Sequence, residues 1–210
     1  MPHTHDHGNC NDEHHDHHHD IPEGTGPRDN LYSHIDRDNV IVLNAQAPAN
    51  GPEVIKPWDQ RLDEEKYIES DADDQIIIRV PFTGAVKLRA ILVKSGPGDQ
   101  TPAKMSIFNN LEHVDFSNIT DMKSVQEFDV AQGRDIGEYH VMPAKFSSVT
   151  SVTLFFPESQ GADTTRIYYV GFLGTFSGER KGQPIITVYE SRPNIADHPK
   201  ITEALPNMQG

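Results

Sequence analysis

Cysteine is almost absent: Cys10 is the only one in 210 residues. No intramolecular disulfide can form, which points to a reducing compartment. Basic residues are scarce as well. The 18 Lys and Arg stand against 32 Asp and Glu, for a formal charge of −14. Phosphate backbones and anionic lipid surfaces are read by Lys/Arg patches, so neither nucleic acid nor membrane is an expected partner. A basic patch on a protein fits the charge better. No apolar run approaches the ~20 residues that cross a bilayer. After Met1 and Pro2, the first apolar residue other than Cys10 is Ile21. With no apolar h-region, the expected address is the cytoplasm and nucleus. Neither the phosphate-loop pattern G-x-x-x-x-G-K-[ST] nor the G-x-S-x-G elbow occurs. Helical periodicity is nearly missing too.

What the chain does have is period two. In residues 76–80, Ile76, Ile78 and Val80 share one face, and Ile77 and Arg79 the other. The words Pro81-Phe82-Thr83-Gly84 read as a turn into a second strand, in which Leu88, Ala90 and Leu92 face one way. Alternation returns in residues 104–108 (Met105 and Ile107 inward), 127–130 (Phe128, Val130), 138–141 (Tyr139, Val141) and 151–156 (Val152, Leu154, Phe156). Residues 166–174 are apolar on both faces, as in a central strand. Residues 185–189 read as the last strand, and residues 40–44 as strand or helix. The charged stretch 59–68 reads as one or two surface helical turns. About eight short strands separated by Gly, Pro, Asn and Asp predict an all-β antiparallel sandwich or jelly roll, with a closed barrel as the alternative.

The ends differ from this middle. Residues 1–20 hold eight of the 12 histidines, interleaved with Asp, Glu, Asn and Gly. They offer nothing apolar to bury, so a disordered tail is expected. A Pro/Gly linker follows to residue 30. The expected layout is a tail and linker over 1–30, one domain over 31–192, and a C-terminal tail over 193–210.

Several words in the domain resemble the PITH domain family, named for a proteasome-interacting domain first associated with a thioredoxin-like protein. They are Lys56-Pro57-Trp58, Glu69-Ser70-Asp71-Ala72-Asp73, Pro81-Phe82-Thr83-Gly84 with Val86-Lys87-Leu88, Gly161-Ala162-Asp163-Thr164-Thr165 with Ile167-Tyr168-Tyr169-Val170-Gly171, and Ala196-Asp197-His198, in that order. The resemblance spans most of the chain, from Leu31 to His198. It implies a jelly-roll β-sandwich similar to galactose-binding-like domains. It also implies a non-catalytic interaction module with the proteasome regulatory particle as partner. The thioredoxin-like members carry a Cys-x-x-Cys site that this sequence lacks, so redox chemistry is not implied.

Few side chains are candidates for chemistry. His14, His15, His17, His18 and His19 can chelate Zn²⁺ weakly in overlapping ways, but a tail fixes no ligand geometry. His34-Ile35-Asp36 has the H-x-D form that opens an iron triad in some jelly rolls, with His140 or His198 as the distal ligand. Asp71, Asp73 and Asp74 could hold Ca²⁺, form turns, or meet a partner. Trp58 is a core plug or a hot spot. The expected partner-binding loops surround Trp58, Asp71, Asp73, Asp74, Asp163, Thr164 and Thr165, if these share one end of the sandwich. No cofactor, no catalytic residue and a monomer are expected. The readings rank as interaction module, then a jelly roll binding a glycan or metal ion, then a metal-dependent oxygenase. For the tail, calorimetric titration of Zn²⁺ should give extra heat with the intact chain relative to a chain lacking residues 1–20; equal heats would remove the tail from consideration.

Overall fold

The computed structural model describes residues 26–47 and 51–179. The His-rich segment, Cys10, the expected strand at 185–189, Ala196-Asp197-His198 and the C-terminal tail lie outside them.

Among the described residues eight strands run in order: β1 (Ile41–Leu43), β2 (Ile68–Glu69), β3 (Ile76–Ser95), β4 (Lys104–Asn109), β5 (Gln126–Asp129), β6 (Gly137–His140), β7 (Val149–Phe156) and β8 (Arg166–Glu179), with one short α-helix, α1 (Phe116–Ile119), between β4 and β5. All pairings are antiparallel. The first half of β3 lies between β1 and β7, and the sheet continues through β4 to β5. The second half lies between β8 and β6, with β2 beyond β8. One strand therefore belongs to both sheets of a β-sandwich.

This corrects the expected turn at residues 81–84. The chain does not reverse there. The register with β7 shifts between Pro81 and Val86, and the strand bends from one sheet into the other. Proline donates no ladder hydrogen bond, which suits it to such an irregularity. Its carbonyl accepts from the Asp36 N–H at 2.9 Å. Phe82 is buried edge-on to Phe172, with ring centroids 5.4 Å apart.

Between the sheets pack Ile76, Ile78, Val80, Met105, Ile107, Leu154 and Phe156 from one side and Val86, Leu88, Ile91, Val93, Ile167, Val170 and Phe172 from the other. The expected alternation holds in β4, β5, β6 and β7. It fails after Leu88. The pairs Leu88↔Gly174 and Ala90↔Leu173 leave Arg89 as a bulge, and one extra residue exchanges the faces. Ile91 and Val93 consequently point inward, while Ala90 and Leu92 join Tyr169 and Leu173 on the outer face. The freed Arg89 guanidinium spans Asp29 (2.7 Å) and Glu138 (2.9 Å).

Both outer faces carry apolar covers. α1 and its approach set Ile119, Phe116, Leu111 and Val114 against Ile77, Phe108 and Phe155. Asp115 caps this helix, accepting from the Ser117 and Asn118 N–H groups. On the second sheet, Trp58 and Ile136 pack over Ala90, Leu92, Tyr169 and Leu173. β8 has β3 along one flank. On the other it has β2 at Arg166 and Ile167, and the segment around Asn30 at Leu173, so it is interior only in part. Of the one or two helical turns expected over 59–68, one is present. A single 3-10 turn, Trp58–Gln60, precedes an irregular loop, because Ile68 must enter the core as β2.

Burial pushes the Tyr169 phenol up to about 12. The unfolded phenol titrates near ~10, so the native state favours the neutral form. That stabilisation is complete below about pH 10 and is lost as pH rises towards about 12. Urea melts should show the native chain losing on the order of 1 kcal/mol more than Tyr169→Phe between about pH 9 and about pH 11. Parallel pH dependences would refute this.

Candidate functional site

Two of the three expected loops meet. After β1, Asn44 takes a positive φ of 65°, a conformation asparagine tolerates better than most residues. From there its amide brackets the acidic loop: Nδ2 donates to Asp73 Oδ1 (2.7 Å) and the Gln75 carbonyl (2.7 Å), and Oδ1 accepts from the Ala72 N–H (2.9 Å). Asp73 Oδ1 also accepts from the Gln75 N–H, the side-chain turn typical of aspartate. Asp74 Oδ2 accepts from the Ser159 N–H at 2.7 Å.

The second loop locks onto the first through buried atoms. The Ser70 N–H donates to the Thr165 carbonyl (2.9 Å), the Thr165 N–H to Ser70 Oγ (3.0 Å), and Thr165 Oγ1 to the Asp74 carbonyl (2.6 Å). Ser70 and Thr165 are fully buried. Thr164 Oγ1 donates to Glu69 Oε1 (2.9 Å) and accepts from Gln100 Nε2 (2.8 Å). Glu69 Oε2 receives the Arg166 guanidinium, which also lies 4.4 Å from the Tyr67 ring. Burial alone would lower the Arg166 pKa, but hydrogen bonds to Tyr168 and Glu69 hold it above its usual value.

Of the expected partner-binding residues, Asp74, Thr164 and Thr165 thus bond within the protein, as Asp73 does on one oxygen. Asp71 and Asp163 are exposed, and their carboxylates make no hydrogen bond or ion pair among the described residues. Trp58 stands apart, half-buried on the outer face of the second sheet, with the Arg61 guanidinium 4.3 Å from its ring. His34 stacks on Phe176 at 4.1 Å, Asp36 accepts from Asn39, and His140 lies exposed on β6. Among the described residues no three His, Cys, Asp or Glu side chains gather as a metal would need. His14, His15, His17, His18, His19 and His198 lie outside them.

Sequence reasoning named the surroundings of Trp58 but missed what holds the loop that follows it. Two buried lysines hold it. Lys56 Nζ donates to the carbonyls of Asp63 and Lys66, both at 2.7 Å, and pairs with the Asp63 carboxylate at 3.1 Å. The Glu65 N–H and then Lys56 hold the Asp63 carboxyl below the usual carboxylate range. Lys94 Nζ donates to the Arg134 carbonyl (2.8 Å) and pairs with Glu64 (2.9 Å). The only available signal was Lys56 inside the word Lys56-Pro57-Trp58.

Two sheets sharing one strand, with the loop after β1 and those before β3 and β8 knitted together, define a galactose-binding-like β-sandwich. Among solved structures, the CBM32-1 and CBM32-2 domains of ZmpB from Clostridium perfringens share this fold (TM-score 0.51, 15% identity). The match covers 69% of this chain and 35% of that one. The chain belongs to the PITH domain family, which it matches over residues 21–193. Similar proteins include PITH domain-containing proteins of Schizosaccharomyces pombe (38% identity, 87% of this chain and 89% of the relative) and Drosophila melanogaster (40%, 94% of each). PITH domain-containing protein 1 of Homo sapiens is 34% identical over 84% of each chain.

Removing the Thr165 hydroxyl leaves the Asp74 carbonyl without its donor in a buried setting. Thr165→Val should cost about 1–3 kcal/mol in urea unfolding, whereas Asp71→Asn should stay within about 0.5 kcal/mol. Equal effects would show that the two loops are not locked as described.

Proposed function

We propose that this chain is a non-catalytic protein-interaction module whose partner is the regulatory particle of the 26S proteasome. The observation that carries the reading is the family match across residues 21–193, because the family takes its name from proteasome interaction. The charge of −14 supports a partner surface bearing basic groups. The loops add support. Glu69 bonds Thr164 and Ser70 bonds Thr165, which fits a frame that supports neighbouring surfaces. The module works as a monomer in the cytoplasm and nucleus and binds neither nucleic acid nor membrane.

The alternative, a jelly roll that binds a glycan or a metal ion, draws on fold likeness. One solved neighbour, the same ZmpB domains in complex with GalNAc, has TM-score 0.50 and 13% identity. Fold is shared more widely than function, so the alternative ranks second. Affinity capture with the tagged chain at physiological salt should retain regulatory-particle subunits in stoichiometric proportion. If they are absent while sugars or divalent ions raise the melting temperature, the alternative replaces the leading reading.

A further inference from the structure

Residues 58–67 form a loop held from beneath and open above. Its backbone carbonyls at Asp63 and Lys66 are taken by the buried Lys56 ammonium. Glu64 is tied to the buried Lys94. Arg61 donates to the Trp58 carbonyl at 2.7 Å while stacking on its ring. The loop is therefore ordered by polar anchors as well as by Trp58, while Leu62 is 56% exposed and Tyr67, at 36%, rests edge-to-face on Tyr168 with ring centroids 5.9 Å apart. A lone exposed leucine is ordinary. Here, however, the ordered loop borders a recess of about 250 Å³ lined by Gln46, Glu53, Glu65, Lys66, Tyr67 and Glu69.

The chemistry of that recess is specific. Tyr67 and Glu69 already hold a guanidinium from within the chain, that of Arg166. The carboxylates of Glu53 and Glu65 have no hydrogen bond or ion pair among the described residues. An aromatic wall beside unpaired carboxylates suits a planar, weakly hydrated cation that can stack and also donate in a fork. Leu62, exposed on the same loop three residues before Glu65, offers an apolar surface to a further side chain of the partner. Because the loop is already fixed, little ordering cost would attend binding.

We propose that the recess beside Tyr67 seats an arginine side chain presented by a protein partner, with Glu53 and Glu65 as counter-charges and Leu62 covering an apolar neighbour of that arginine. This rests on the reading of the chain as an interaction module and moves the contact surface away from Asp71 and Asp163.

The test is a ¹⁵N–¹H titration of the full chain with the peptide acetyl-Leu-Arg-Leu-amide, with the Lys and Glu counterparts as controls. Saturable shifts at residues 46–47 and 65–69 are expected. Tyr67→Ala should weaken binding about fivefold, the size of one cation–π contact, and Tyr67→Phe should restore it. The double variant Glu53→Gln, Glu65→Gln should also weaken it, and Asp71→Asn with Asp163→Asn should leave it unchanged. The Lys peptide should bind more weakly and the Glu peptide not at all. The proposal is overturned by shifts centred elsewhere, by no saturation up to about 10 mM, by equal binding of the Arg and Lys peptides, or by indifference to both the Tyr67→Ala and the double variant. Peptide binding does not require the proteasome. A failed proteasome capture beside intact peptide binding would sink the partner's identity and leave the recess standing; the reverse result would sink the recess alone.

Discussion

The peptide groups of residues 76–95 bond to four other strands, β1 and β7 from one sheet and β8 and β6 from the other. A single covalent strand that enters both sheets fixes how they face each other. Bending it requires a place where the ladder is interrupted, and the Pro81-to-Val86 register shift supplies one. Phe82 at the bend packs against Phe172 in β8, so the corner is filled as well as bent. The knitted loops sit where β3 and β8 begin. Thr165, directly before β8, bonds Ser70 and Asp74, just ahead of β3. Each loop then has its geometry set by the other and by the strand it feeds.

Apolar covers on both outer faces follow from the same arrangement. A two-sheet sandwich with solvated outer faces would show clean alternation in every strand. Here Ile77 and Phe155 on one outer face, and Leu92, Tyr169 and Leu173 on the other, are too apolar for water. α1 covers the first and Trp58 the second. The single tryptophan packs on this face with the Arg61 guanidinium stacked over its ring.

Much of the sandwich was legible in the sequence because half-buried strands betray themselves by period two. Residues 76–80, 104–108 and 151–156 have their inward sets where the alternation puts them. The pattern failed where an extra residue entered. Leu88, Ala90 and Leu92 have the same parity in sequence, but Arg89 bulges and the parity changes across it. A bulge leaves no local mark when the displaced residue is an ordinary arginine. The turn-like word Pro81-Phe82-Thr83-Gly84 misled for a related reason: the same residues serve a reversal or a sharp bend, and only the pairing partners tell them apart. The candidate loops were visible as polar words, but not their bonds to each other. Ser70 and Thr165 lie 95 residues apart in sequence, and nothing local says which polar side chain will find a distant mate.

The loop after Trp58 was hidden for a deeper reason. Hydrophobic pattern reading assumes that order comes from burying apolar groups, with charged groups left in water. Around residues 61–67 the assignment is inverted. The side chains taken out of water are Lys56 and Lys94, and Leu62 is left in it. Desolvating an ammonium is tolerable only when carbonyls and carboxylates replace its water, and each lysine has such a set: two carbonyls and Asp63 for one, the Arg134 carbonyl and Glu64 for the other. Those acceptors come from the loop and its neighbours, so the lysines are stable only when the loop is in place, and the loop stays in place only while the lysines are satisfied. An ordered surface results that does not need its own apolar residues inside. That leaves Leu62 exposed without cost to the fold.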